Sequence, residues 1–283
     1  MKAKKLLLAV VAILTTTSVW AQYPDPFLSE DERPDGIVWL PDPPSLTGGD
    51  FANDFYYYQW GKEQRKEAWM ADYALWDEGI DLSHVFSPCL GIGLSHETTP
   101  EILLLVEAAT GDAHNANFNV KNYFKRKRPF ATFNEPSLKP EEDEEEAQTF
   151  SYPSGHSSRG WMYAMVLATV APECTEKLMN RARIYAMHRV VCGHHWKSDI
   201  DASLMLVAGV FPIVVTSEAY QAQLKKARAE YQKIKGGGAT SAEAPAANEA
   251  KAKTPIYDLQ GRVLQGEPTS KGVYIQNGVK FAK

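Results

Sequence analysis

Three polar clusters, taken in chain order, have the residue types and spacing to handle an anion. The first is Lys121 with Arg128-Pro129, the second Pro153-Ser154-Gly155-His156, and the third Arg189 with His195 and Asp199. Two fixed cations suit a phosphate dianion, arginine through a bidentate fork and lysine as a point charge. The second cluster precedes a helical run, so N–H groups of a first turn can point at an anion. Gly155 allows close backbone approach and Ser154 adds a hydroxyl. Of the two histidines, one can serve as nucleophile and the other as acid. Asp199, one helical turn beyond His195, can fix the tautomer that leaves the other ring nitrogen free. Singly, each cluster has an ordinary structural explanation: the basic segment Lys125, Arg126, Lys127 as a solvated face, Pro-Ser-Gly as a turn, and His195 with Asp199 as a helical pair.

The elements that must position these groups read as helices. Residues 22 to about 53 are rich in Pro, Asp and Gly, and Leu40-Pro41-Asp42-Pro43-Pro44 should be extended. From Asp54 the texture turns helical, with no proline from Phe55 to Trp76. Pro100 suits the first turn of another helix, with Ile102, Leu105, Val106 and Ala109 on one face. Further helices are expected over 154–171, ended by Pro172, over 174–190 and over 199–215. Tyr220, Leu224, Ala227, Tyr231 and Ile234 form a narrow stripe on a charged final helix, laid on the core. No strand alternation precedes residue 250, so the expected fold class is all-α, a compact multi-helix domain over 22–235.

Composition sets the outer bounds. The 283 residues are 44% hydrophobic and 23% charged, an ordinary globular balance. The formal charge of -5 offers no broad attraction for nucleic acid. Lys2, Lys4 and Lys5, the apolar run Leu6 to Leu14, and Val19-Trp20-Ala21 have the plan of a secretory signal peptide over 1–21. No lipobox-type cysteine follows it. The run Leu204 to Val215 is shorter than the roughly 20 apolar residues of a membrane span, contains Pro212, and reads as a buried core helix. The expectation is therefore an extracytoplasmic protein without a membrane span, in the periplasm or exported to the cell surface or medium.

A flexible linker is expected over 236–253, opening with Gly236-Gly237-Gly238 and rich in Ala, Glu, Ser and Lys. Residues 254–283 change to short strand-like runs, Ile256 to Leu259, Arg262 to Leu264 and Val273 to Ile275. Asn277-Gly278 is a hairpin turn signal. Thirty residues are too few for a self-sufficient core. This β-rich appendage resembles a truncated sorting domain of type IX secretion cargo, through Tyr257 to Arg262 and Lys271 to Ile275. The resemblance implies secretion machinery as a partner; the bland alternative is a degenerate appendage.

The ordered trio Lys121-x6-Arg128-Pro129, Pro153-Ser154-Gly155-His156 and Arg189-x5-His195-x3-Asp199 resembles the signature of the phosphatidic acid phosphatase type 2 superfamily. Within it the chain is similar to the bacterial class A nonspecific acid phosphatases. Leu40 to Pro44, Phe130, Ser151-Tyr152, Val191 to Asp199 and Tyr220 to Lys235 extend the likeness across roughly residues 38 to 235. The resemblance implies that His195 attacks phosphorus to give a phosphohistidine. Asp199 orients His195, and His156 protonates the leaving alcohol and then activates water. Lys121, Arg128, Ser154, Gly155 and Arg189 bind the phosphoryl oxygens. It implies small phosphate monoesters as substrates, with no cofactor and no metal. The resemblance is compatible with a homo-oligomer.

His188 stands where the family usually has serine, which puts the local support of Arg189 in question; a packing or surface role is expected for it. His188, Cys192, His194, His195 and Asp199 fit no recognised zinc spacing. The run Glu141 to Glu146 reads first as a solvated loop, with a place at the site mouth disfavouring highly anionic substrates as its functional alternative. Cys89, Cys174 and Cys192 allow at most one intrachain disulfide, and Cys192 reads as a packed free thiol. The competing functions are a vanadate-dependent haloperoxidase, whose site uses the same residue types, and a surface-sorted binding protein with an inactive site.

Overall fold

The computed structural model describes residues 24–79 and 81–237, together with four strand segments beyond them. The expected signal segment and most of the expected linker lie outside the described residues. The chain divides into two units, residues 1–240 and 241–283.

The first unit is helical. Its helices are α1 (Phe51–Gln64), α2 (Ala68–Trp76), α3 (Ser83–Leu90), α4 (Pro100–Phe124), α5 (Pro129–Phe133), α6 (Asp143–Glu146), α7 (Gly155–Val170), α8 (Thr175–Cys192), α9 (Lys197–Thr216) and α10 (Glu218–Lys235), with short 3-10 turns at Gly36–Val38 and Pro172–Cys174. The hub is α7, packed against α4, α8 and α9. Most of its length is buried, including Trp161, Met162, Ala164, Val166 and Leu167, as expected of a helix enclosed on several sides. A Cβ at Gly160 would lie 2.5 Å from Tyr185 Cδ1, so glycine sets the spacing of α7 and α8. On the outside of α4 lies α10, which buries Tyr220, Leu224, Ala227 and Tyr231 as the stripe requires. Its Glu230 caps the start of α4, accepting from Ile102 N–H at 2.9 Å and Glu101 N–H at 3.3 Å. These acceptors satisfy donors that a helix start leaves orphaned.

Several boundaries differ from the sequence reading. The helical stretch 55–76 is two helices, broken at Arg65 to Glu67. There Arg65 turns back to donate to the Cys192 carbonyl at 3.3 Å, a tertiary contact absent from any local pattern. The short helices α3, α5 and α6 carry no strong periodicity and were not anticipated. Helix α9 runs on through Pro212. Among the described residues it alone is long and apolar enough to cross a bilayer. Ile200, Leu206, Val207, Val210 and Val214 are all buried within the protein. All three cysteines are free and buried.

The second unit holds a four-stranded antiparallel sheet of order β2-β1-β3-β4, formed by β1 (Ile256–Asp258), β2 (Val263–Leu264), β3 (Val273–Gln276) and β4 (Val279–Ala282). Gln276 pairs with Val279 across the Asn277-Gly278 position. The last strand was not anticipated.

Candidate active site

Four helix junctions bring the three clusters to one cavity of about 510 Å³. Helix α4 supplies Lys121 from its last turn and stops where Lys125 adopts a left-handed φ of 49°. The chain then presents Arg128 just before Pro129 opens α5. Helix α7 starts at Ser154, whose hydroxyl accepts from Ser157 N–H at 3.2 Å, and this cap places Gly155 and His156 in the first turn. Helix α8 carries Arg189 and ends at Gly193, whose φ of 82° turns the chain sharply. His194 and His195 occupy that turn before α9 begins. The starts of α7 and α9 are tied together: Ser154 N–H donates to Asp199 O at 3.2 Å, and Ser203 Oγ donates to Ser154 O at 2.9 Å.

Lys121, Arg128, Gly155, His156, Arg189 and His195 all line the cavity. Ser154 and Asp199 do not. Ser154 is fully buried, and its hydroxyl accepts the cap bond, which leaves its own O–H to donate. Asp199 lies behind His195, its Oδ2 3.3 Å from His195 Nδ1. The same Oδ2 accepts from Trp196 N–H at 2.8 Å, so one carboxylate starts α9 and orients the histidine.

Contacts assign the tautomer. His195 Nε2 lies 3.1 Å from Arg128 Nη1. Arginine has donors only, so Nε2 must be the unprotonated acceptor and Nδ1 the protonated partner of Asp199. Burial, then Arg128, Lys121 and Arg189, hold His195 well below the ordinary histidine value. The ring is thus held toward its neutral form, with the unprotonated Nε2 against Arg128 in the cavity lining. His156, on the same cavity, stacks on Tyr185 with ring centroids 4.2 Å apart, and its Nδ1 lies 3.3 Å from the Tyr185 hydroxyl. Its buried Nε2 has no protein partner, and neither does Arg189 Nε. Buried polar atoms are almost always satisfied, and both of these belong to residues lining the cavity, where a polar ligand or water can reach them. Burial, followed by Arg189, Arg159 and His195, lowers His156 as well.

The cations are held by groups to which the sequence assigned no such support. Arg189 donates through Nη1 to Glu78 and through Nη2 to His194 Nδ1, the latter at 2.8 Å. Its support therefore comes from Glu78 and His194. His188 is buried elsewhere, 2.5 Å from Asp77 Oδ2, in a network with Arg181. Burial opposes ionisation of Glu78, yet Arg189 and His194 bring it down to about 2. Arg128 meets the Glu146 carboxylate at 2.6 Å and Thr149 Oγ1 at 2.7 Å. Lys121 Nζ donates to the Phe150 carbonyl at 2.5 Å, and burial with Arg128 nearby lowers its ammonium to about 7.

Two expectations change here. Arg126, read as part of a solvated basic face, is buried and bridges Asp199 Oδ1 and Asp54 Oδ2 at 2.7 Å each. Burial raises Asp199 despite this partner. The acidic run is not simply solvated either. Glu141, Glu144 and Glu145 face out, whereas Glu142 and Glu146 line the cavity and Asp143 accepts from Ser137 N–H at 3.0 Å. No local signal separates these acids, because the turn into the four-residue helix α6 decides which ones point inward. The residues weighed as zinc ligands are engaged separately, and no group of three or more His, Cys, Asp or Glu among the described residues is arranged to hold a metal ion.

Residues 101–223 match the PAP2 superfamily. The chain is 31% identical over 248 residues to a non-specific acid phosphatase of Providencia stuartii, covering 82% of this chain and 99% of that protein. It is 32% identical over 224 residues to a non-specific acid phosphatase of Salmonella typhimurium, covering 74% and 85% of the two chains. An acid phosphatase of Zymomonas mobilis is 27% identical over 214 residues, covering 75% and 79%. With its three clusters gathered on one cavity, the chain belongs to the PAP2 superfamily, as a relative of the bacterial non-specific acid phosphatases.

Proposed function

We propose that the protein is an acid phosphatase hydrolysing phosphate monoesters through a phosphohistidine on His195, without a metal. The observation that carries this reading is that His195, whose Nε2 is unprotonated, and His156, whose Nε2 is unpartnered, line one cavity together with Lys121, Arg128 and Arg189. His195 Nε2 forms a bond to phosphorus as the ester P–O bond breaks, and protonated His156 gives its proton to the departing alkoxide. The Nδ1 proton stays between His195 and Asp199, which stabilises the developing imidazolium. Neutral His156 then takes a proton from water as the water oxygen attacks phosphorus and the P–N bond breaks. Phosphate leaves, and both histidines return to their starting states. The three cations and the first-turn N–H groups of α7 neutralise charge on the transferring group, the task a metal performs in other phosphatases.

The signal-like segment 1–21 supports export, and the C-terminal segment supports type IX sorting. The direct test is turnover of p-nitrophenyl phosphate with and without EDTA, followed by acid-quenched labelling with radioactive substrate. Turnover unaffected by chelator, with label on His195, is expected. A rate that collapses with EDTA and recovers with zinc or magnesium refutes the metal-free chemistry. Halide oxidation with added vanadate, and no phosphatase turnover, assigns the site to haloperoxidase chemistry instead.

A further inference from the structure

The cavity walls are electrically uneven. Glu78, Glu142 and Glu146 each face a cation, Arg189, Lys139 and Arg128 in turn. Arg159 also lines the cavity, half-buried, and pairs with no carboxylate among the described residues. It follows His156 by three residues on α7, a spacing that makes side chains neighbours on one helix face. His114 of α4 lines the cavity too; burial, then the positive charges of Arg159 and Lys121, lower its pKa. Lys121 serves the transferring phosphoryl group, which leaves the Arg159 charge unused.

In an in-line displacement the nucleophile and the leaving oxygen lie on opposite sides of phosphorus. If His156 protonates the leaving oxygen, the substituent on that oxygen lies within reach of Arg159, which is one helical turn further along α7 and lines the same cavity. We propose that Arg159 receives a second phosphate carried by the leaving alcohol, making bisphosphates of small diols or sugars better substrates than esters of neutral alcohols. The proposal rests on the phosphomonoesterase reading above and names the substrate class of the same site. The guanidinium is always charged and matches a phosphate bidentately. The first phosphate is transferred as described, and the second leaves intact on the alcohol.

The test measures kcat and KM of the full-length protein on propane-1,3-diol bisphosphate and on propyl phosphate, with p-nitrophenyl phosphate alongside. The wild type should favour the bisphosphate by about 10- to 100-fold in kcat/KM, as one charge-assisted contact supplies. Arg159→Gln should bring the ratio toward one, mainly by raising KM for the bisphosphate, and Arg159→Lys should keep part of it. A wild-type ratio near one overturns the proposal, and it requires no variant to fold. So does a ratio that Arg159→Gln leaves intact, or a variant that slows both substrates equally, which would mean that Arg159 acts only through His156. A wild type that does not turn over p-nitrophenyl phosphate overturns the phosphatase reading itself and the proposal with it.

Discussion

Arg128 Nη1 lies 3.1 Å from His195 Nε2, so a phosphate-binding cation rests against the nitrogen that attacks phosphorus. The contact keeps the lone pair in place and the ring neutral. A bound phosphoryl group must come between the two residues, taking the arginine donors as it meets the lone pair. His195→Ala should therefore abolish both turnover and covalent labelling. His156→Ala should slow transfer from poor leaving groups by about 10²- to 10⁴-fold, the usual scale of general acid catalysis, while sparing labelling by good ones. Label surviving in His195→Ala refutes the nucleophile assignment.

Asp199 depends on Arg126 as His195 depends on Asp199. Asp199→Asn should leave inhibition by phosphate nearly intact and cut kcat by about 10²- to 10⁴-fold, through loss of the enforced tautomer. Arg126→Met leaves two buried carboxylates, Asp54 and Asp199, without their shared partner. Breaking a buried pair from one side costs about 3–5 kcal/mol, readable in urea unfolding. A stable, fully active Arg126→Met protein contradicts this role.

The pH profile follows from two depressed histidines. His195, lowered by burial and by Arg128, Lys121 and Arg189, stays neutral and competent as the pH falls. His156, lowered by burial and by Arg189, Arg159 and His195, loses its proton early as the pH rises. Because the acid must be protonated and the nucleophile neutral, kcat/KM should be bell-shaped, with its optimum below the ordinary histidine value of roughly 6.5. A bound dianion favours protonated His156, so the alkaline limb of kcat should lie at higher pH than that of kcat/KM. A rate still rising above pH 8 contradicts the assignment.

Glu146 competes with substrate for Arg128. Glu146→Gln removes the opposing charge 2.6 Å from the guanidinium and should tighten inhibition by sulfate, whose charge is constant over the working range, by about three- to tenfold. Lys121, at about 7, loses its charge as the pH rises through neutrality. Sulfate inhibition of the wild type should therefore weaken above that pH, and Lys121→Met should flatten the dependence. Unchanged inhibition constants in Glu146→Gln would show that the carboxylate does not oppose the anion.

Deleting residues 236–283 should leave a folded, active phosphatase, because the core of the helical unit is built from residues 28–231 among those described. The effect of deletion should fall on where the protein goes in its native host. Equal localisation of full-length and truncated forms refutes a sorting role, and lost activity would mean that the tail supports the catalytic unit.

The sequence by itself determined the chemical inventory. Lys121, Arg128, His156, Arg189, His195 and Asp199 stand at fixed offsets around helix starts and ends, and caps such as Ser154 and Gly193 follow from local backbone preferences. The stripe on α10 was legible because burial against one face imposes a helical period on the residues themselves. Tertiary structure decided which like-looking charges matter. Arg126 and Lys127 are adjacent basic residues, yet Arg126 is buried between Asp54 and Asp199 while Lys127 is exposed. Glu146 and Glu145 differ in the same way, and the support of Arg189 comes from Glu78, far away in sequence. Such pairings join groups from separate elements whose approach is set by close packing, as at Gly160 against Tyr185. A charge carries no local record of the partner it will meet, and only the packed fold supplies that partner.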